Sequence, residues 1–224
     1  MDFPSTIWTV IRNAAADPQG ARDQVIRRYW EPVCGYASKR GLSAEDAEDM
    51  AQTVFLHVCR DGFLERADRN KGRFRGLLVA MANHLIDSWW RLKYAGGDKR
   101  AVVSLDDEGT LAVADAAAKP VDSDFNRLWA ENVLARAMER LKEESDRLRT
   151  PYHAAVDAFY LKGRSYSEIA AALRVPEGQV RNYVFRGKAR LSQLVRDFIR
   201  EYSGSAEEYA EELRDLGEFL GAEA

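Results

Sequence analysis

Cysteine is nearly absent: Cys34 and Cys59 are the only two in 224 residues. Two thiols cannot build a disulfide scaffold or a four-cysteine zinc site, so both are expected to be reduced and buried as small apolar groups. Histidine is scarce as well. His57, His84 and His153 each fall inside a helical pattern with no partner triad. There is no glycine-rich phosphate loop, no zinc-ligand spacing and no nucleophile elbow, so neither catalysis nor a cofactor is expected. No apolar run is long enough to span a bilayer. The opening Met1-Asp2-Phe3-Pro4 lacks the basic and apolar segments of a signal peptide, and a cytoplasmic location is expected. Strand-like alternation bounded by hairpin turns is missing too.

What remains is helical periodicity. Hydrophobic residues make up 46% of the chain, enough for real cores. Residues 8–16, 25–40, 44–58 and 74–90 carry apolar positions at a 3.6-residue period, for example Ala47, Met50, Ala51, Val54, Phe55 and Val58. Residues 95–124 break the pattern with Gly96-Gly97, Asp106-Asp107-Glu108-Gly109 and Lys119-Pro120, a composition that suits a flexible linker. The expectation is an all-α protein of two small helical domains, residues 1–95 and 126–200, joined by a linker over 96–125 and followed by an acidic extension over 201–224.

Charge follows the same division. The net charge of −3 conceals two basic stretches, 66–100 and 159–200, each with nine Lys/Arg against three acids. Residues 201–224 hold eight acids and one arginine. Basic patches in both domains suggest two contacts with a polyanion.

The C-terminal patch reads as a helix-turn-helix. Ser165 and Glu168 have the spacing of a capping box. A short alanine-rich helix follows, small enough at its surface for close packing. Arg174-Val175-Pro176 then breaks the chain, and a second helix runs from about 177 to 198. Val180, Val184, Leu191, Leu194 and Phe198 form its inner side. Arg181, Asn182, Phe185 and Arg186 form another side, with Lys188 close by. Arginine can grip guanine edges or phosphates, asparagine can read adenine, and an aromatic ring can meet a thymine methyl.

The N-terminal half carries two further patterns. Ser43 is a natural N-cap, and Glu45, Asp46, Glu48 and Asp49 fill the first turns, where the helix dipole favours anions. Asp46, Asp49 and Thr53 share a face, which reads either as good capping or as a carboxylate patch for a basic partner. The spacing around His57 matches no metal site. Residues 69–75 are basic, with Arg73 and Arg75, and lead into a helix bearing Asn83, His84, Asp87, Trp89, Trp90, Arg91 and Lys93. Cations interleaved with aromatics suit single-stranded nucleic acid, although at least one tryptophan is expected in the core.

These segments together resemble the extracytoplasmic-function sigma factors of the sigma-70 family. Residues 46–56, with Asp46, Glu48, Asp49, Gln52 and Thr53, look like region 2.2. Residues 74–87 look like region 2.3, and residues 166–170 and 180–186 look like region 4. The resemblance implies that Asp46, Glu48, Asp49, Gln52 and Thr53 meet the clamp helices of core RNA polymerase. Asn83 would capture a flipped base of the −10 element, with Arg73, Arg75, Trp89, Trp90 and Arg91 along the same strand. Arg181, Asn182, Phe185, Arg186 and Lys188 would read the −35 element of promoter DNA. A stand-alone helix-turn-helix regulator is the alternative, but it leaves the first domain unexplained.

Three departures stand out. Thr53 replaces the acid usual after the glutamine of region 2.2, so it is a candidate regulatory phosphosite for a Ser/Thr kinase; an anti-sigma factor is the other candidate regulator. Leu77-Leu78 stands where the family has a tryptophan. The extension over 201–224 places Tyr209, Leu213, Leu216 and Leu220 at helical spacing. It reads as a cap, a partner helix or an internal inhibitor lying on the C-terminal basic domain.

Overall fold

The computed structural model describes residues 18–58, 74–94, 122–203 and 206–221. Those residues are helical or in short connections, with no strand among them. The helices are α1 (Pro18–Lys39), α2 (Ala44–Val58), α3 (Phe74–Tyr94), α4 (Ser123–Leu148), α5 (Tyr152–Val156, continued by a π-helical turn over Asp157–Leu161), α6 (Tyr166–Leu173), α7 (Glu177–Tyr202) and α8 (Ala206–Gly221). The all-α expectation holds. The helix expected at 8–16 and nearly all of the linker, 95–121, lie outside the described residues.

The chain forms two compact units, residues 1–130 with 201–224, and residues 131–200. In the first unit α1, α2 and α3 pack on one another. Their periodic apolar residues meet as the pattern requires: Val25, Tyr29, Val33 and Tyr36 from α1, Met50, Val54 and Phe55 from α2, and Phe74, Leu78, Met81, Leu85 and Ile86 from α3 are all buried. The start of α4 adds Phe125, whose ring meets Tyr36 edge-on at 5.6 Å, and Trp129. It approaches α1 closely at Gly35, where a Cβ would stand 3.0 Å from Leu128. Leu216 of α8 is buried as well. The final helix therefore contributes to this core.

α1 ends at Gly41, whose φ of 93° suits glycine. Ser43 then caps α2, its hydroxyl accepting the Asp46 N–H at 3.2 Å and donating to the Asp46 carboxylate at 2.8 Å.

The second unit is built on Ala155, Ile169, Val180 and Val184, ringed by Phe159, Tyr166, Leu173, Val175 and Tyr183. Val133, Ala137 and Leu141 line the buried side of α4. A bidentate pair from Arg190 to Glu144, both bonds 2.7 Å, ties α7 to α4.

Candidate nucleic-acid interface

The entry to α7 is fixed by local chemistry. Ser165 Oγ accepts the Glu168 N–H at 3.3 Å, and Glu168 Oε2 accepts the Ser165 N–H at 2.8 Å. The capping box is complete, and the two hydrogen bonds from Ser165 hold the Glu168 carboxyl below its usual range. α6 ends on Arg174 in the left-handed region (φ 56°, ψ 45°), its N–H returning to the carbonyls of Ala170 and Ala171. Pro176 caps α7, its carbonyl accepting from Gln179 and Val180.

Of the alanines of α6, Ala170 packs against the core of the second unit, while Ala171 and Ala172 face solvent. Gly187 makes a closer approach still. A Cβ there would lie 2.6 Å from Val156 Cγ2 and 2.9 Å from the Tyr152 carbonyl oxygen. Its sequence signal was only a glycine inside a helical pattern.

Of the expected inner face of α7, Val180, Val184 and Leu194 are buried, while Leu191 and Phe198 are half-buried. Arg181, Asn182, Phe185, Arg186 and Lys188 are all exposed. Phe185 is 73% exposed, unusual for so large an apolar ring. Arg181 pairs with Glu177 at 2.8 Å and lies over the Tyr166 ring at 5.1 Å, and the Glu177 hydrogen bond raises its pKa. Lys188 Nζ sits 5.4 Å from the Tyr160 ring centre. One short helical face thus offers two guanidiniums, an amide and an uncovered ring, the donor set that reads a major groove.

On α3, Asn83 is held from α1. Its Oδ1 accepts from the Tyr36 hydroxyl at 2.9 Å and from Arg40 Nη1, while Arg40 Nη2 pairs with Asp87 at 3.0 Å. Two donors converging on one atom fix the amide orientation, so the Nδ2 donors point away from Tyr36 and Arg40. Burial raises the Tyr36 pKa against the opposing hydrogen bond from Arg40.

The aromatic residues at the end of α3 divide. Trp89 is buried and packs edge-on against half-buried Trp90 at 4.8 Å. Trp90 stacks on Tyr94 at 5.6 Å, and Tyr94 is 81% exposed. Lys93 Nζ lies 4.4 and 4.7 Å from the two tryptophan rings. Exposed Arg91 donates to Ser88 at 2.8 Å. The stacked pair that reaches solvent is therefore Trp90 with Tyr94, a residue that the sequence pattern did not single out, and Trp89 belongs to the core.

Arg73 lies outside the described residues. Arg75 differs from its expected place among DNA-facing cations: its side chain is 1% exposed, because Glu212 and Asp215 of α8 enclose it.

On α2, Glu48, Asp49 and Gln52 are exposed, with Asp46 and Thr53 half-buried. Thr53 Oγ1 donates to the Asp49 carbonyl at 2.9 Å, a local back-bond that lends no support to a phosphosite. Leu56 is 64% exposed and follows Asp49 and Gln52 on one helical face. An apolar side chain beside an acidic stripe is a natural anchor for a partner.

Comparison with known proteins places these features in context. Residues 138–191 match the family described as Sigma-70, region 4, a span that holds α5, α6 and most of α7. The ECF RNA polymerase sigma factor SigE of Mycolicibacterium smegmatis is 27% identical over 188 residues, which cover 84% of this chain and 65% of that protein. The RNA polymerase sigma-H factor of Pseudomonas aeruginosa is 23% identical over 192 residues, 81% of this chain and 89% of the relative. The ECF RNA polymerase sigma-E factor of Escherichia coli is 24% identical over 200 residues, 87% of this chain and 97% of the relative.

Proposed function

Because the chain belongs to the extracytoplasmic-function group of the sigma-70 family, we propose that it directs core RNA polymerase to a set of promoters and initiates transcription there. In this reading it works in the cytoplasm as a specificity subunit and has no catalytic centre of its own. Residues 1–95 correspond to region 2, 96–125 to the linker and 126–200 to region 4, with the first turns of α4, through Ala130, packed in the first unit. The observation that carries the reading is the exposed set Arg181, Asn182, Phe185 and Arg186 on α7, behind a complete capping box and inside the segment that matches region 4.

Each surface takes one task. The α7 face reads the −35 duplex, with Lys188 on adjacent phosphate. Asn83 meets an extruded −10 base through its Nδ2 donors, and Trp90 with Tyr94 stacks the unpaired strand while Arg91 meets phosphate. The acidic face of α2, with Asp46, Glu48, Asp49, Gln52, Thr53 and Leu56, docks on basic clamp helices of the polymerase. An anti-sigma factor or a Ser/Thr kinase would act by changing that docking.

Run-off transcription with purified core polymerase, on promoters from the genome that encodes this chain, tests the reading. Defined transcripts that require this protein are expected. Absence of core binding would overturn it and favour a stand-alone regulator. Thr53→Glu in the same assay separates a phosphorylation switch, which requires activity only with glutamate, from a tolerated substitution.

A further inference from the structure

Arg75 is the one cation of the basic run 69–75 among the described residues, and it does not face solvent. Three groups surround it. Asp215 Oδ2 accepts from its Nη2 at 2.6 Å, Glu212 Oε2 lies 2.9 Å from its Nη1, and the Trp129 ring centre stands 4.0 Å from its guanidinium carbon. A planar ring against the guanidinium face and anionic oxygens at its edge are the contacts a nucleotide would offer: a base to stack on and a phosphate to pair with.

The fit is incomplete. Among the described residues, Nε and Nη1 of Arg75 have no hydrogen-bond acceptor in good geometry, although Nη1 is within ion-pair distance of Glu212. The charge is paired, but a buried guanidinium whose Nε has no acceptor and whose Nη1 is held by an ion pair without good hydrogen-bond geometry is incompletely compensated for its desolvation. A residue needed only to fill the core would be better served by an apolar side chain of similar volume. Retention of a charge that is only partly satisfied suits a contact that opens.

The rest of α8 fits the same role. It carries Glu207, Glu208, Glu211, Glu212, Asp215 and Glu218 against Arg214 alone, and Leu216 anchors it in the core. Just before α8, Arg28 ties the last turn of α7 to α1: its guanidinium donates at 3.1 Å to the Glu201 carbonyl and lies 3.5 Å from the Glu201 carboxylate.

We propose that the start of α3 and Trp129 form a binding surface for an acidic amphipathic helix, that α8 occupies it in the free protein, and that single-stranded nucleic acid competes with α8 for Arg75. The proposal concerns the first unit alone and stands whether or not the chain binds polymerase.

The test uses the full chain, a fluorescent 20-nucleotide single strand of mixed sequence, and hydrogen exchange over residues 206–221. In the double variant Glu212→Gln with Asp215→Asn, α8 amides should exchange faster and the strand should bind at least about tenfold tighter. The salt dependence should steepen by roughly 0.7 per added phosphate contact. Adding Arg75→Met to that background should abolish the gain. Unchanged affinity in the double variant overturns the proposal, as does a gain that survives loss of Arg75. Should the double variant not fold, the wild type decides. Saturating single strand should speed exchange in α8, and exchange that stays the same or slows refutes competition. Co-elution with core polymerase, measured in parallel, reports on the sigma-factor reading separately.

Discussion

Gly187 and Phe185 lie two residues apart on α7 and answer to opposite demands. Gly187 faces Tyr152 and Val156 with no room for a methyl group. Gly187→Ala should cost about 1–3 kcal/mol through forced backbone shift, read as a lowered melting temperature of the second unit. Phe185 faces solvent, so Phe185→Ala should leave that melting temperature nearly unchanged. It should weaken binding of the polymerase complex to −35 duplex by about tenfold, measured by fluorescence anisotropy, consistent with about 1.5–3 kcal/mol for burying an apolar ring of this size. The exposed cluster around Phe185 was legible in the sequence because solvent-facing residues depend mainly on helical phase. Arg75 was not, because its environment comes from Trp129, Glu212 and Asp215, distant in sequence, and composition assigns an arginine in a basic run to the surface.

At the level of elements, local signals set the boundaries. Ser43 starts α2 where its cap requires, and the Ser165–Glu168 box starts α6. α7 outruns the expected end at 198 to reach Tyr202, because no breaker interrupts it. The tie between α7 and α4 was not legible, since Arg190 and Glu144 are 46 positions apart. That tie predicts a pH dependence. The Arg190 hydrogen bond is the main cause that lowers the Glu144 pKa, against burial, with the charges of Arg190, Arg140 and Arg147 assisting. A carboxyl whose folded-state pKa is depressed contributes stability above its unfolded pKa and loses it as pH falls through the folded value. Wild type should therefore exceed Arg190→Gln in denaturant midpoint at neutral pH. The difference should shrink as pH falls through and below the ordinary carboxylate range. A difference independent of pH would show that Arg190 acts through packing alone.

For the whole molecule, the proposed division of labour between the two units predicts separable failures. The acidic face of α2, with Asp49 exposed beside Leu56, belongs to the first unit; Arg186 belongs to the second. Asp49→Lys places a cation on the face proposed to dock a basic partner, and like charges in contact oppose binding. It should reduce co-elution with core polymerase and leave the intrinsic affinity of the α7 face for −35 duplex unchanged. Arg186→Ala should do the reverse, retaining core binding and weakening −35 recognition, with a salt slope lower by about one if the guanidinium meets phosphate. Since the two side chains share no partner, their free-energy costs should add within about 0.5 kcal/mol, each measured in its own assay and again together in promoter binding by the complex. A double variant no weaker than Asp49→Lys alone, at saturating core polymerase, would mean that the α7 face contributes nothing to promoter choice. The region 4 similarity would then describe a fold and not a reading surface.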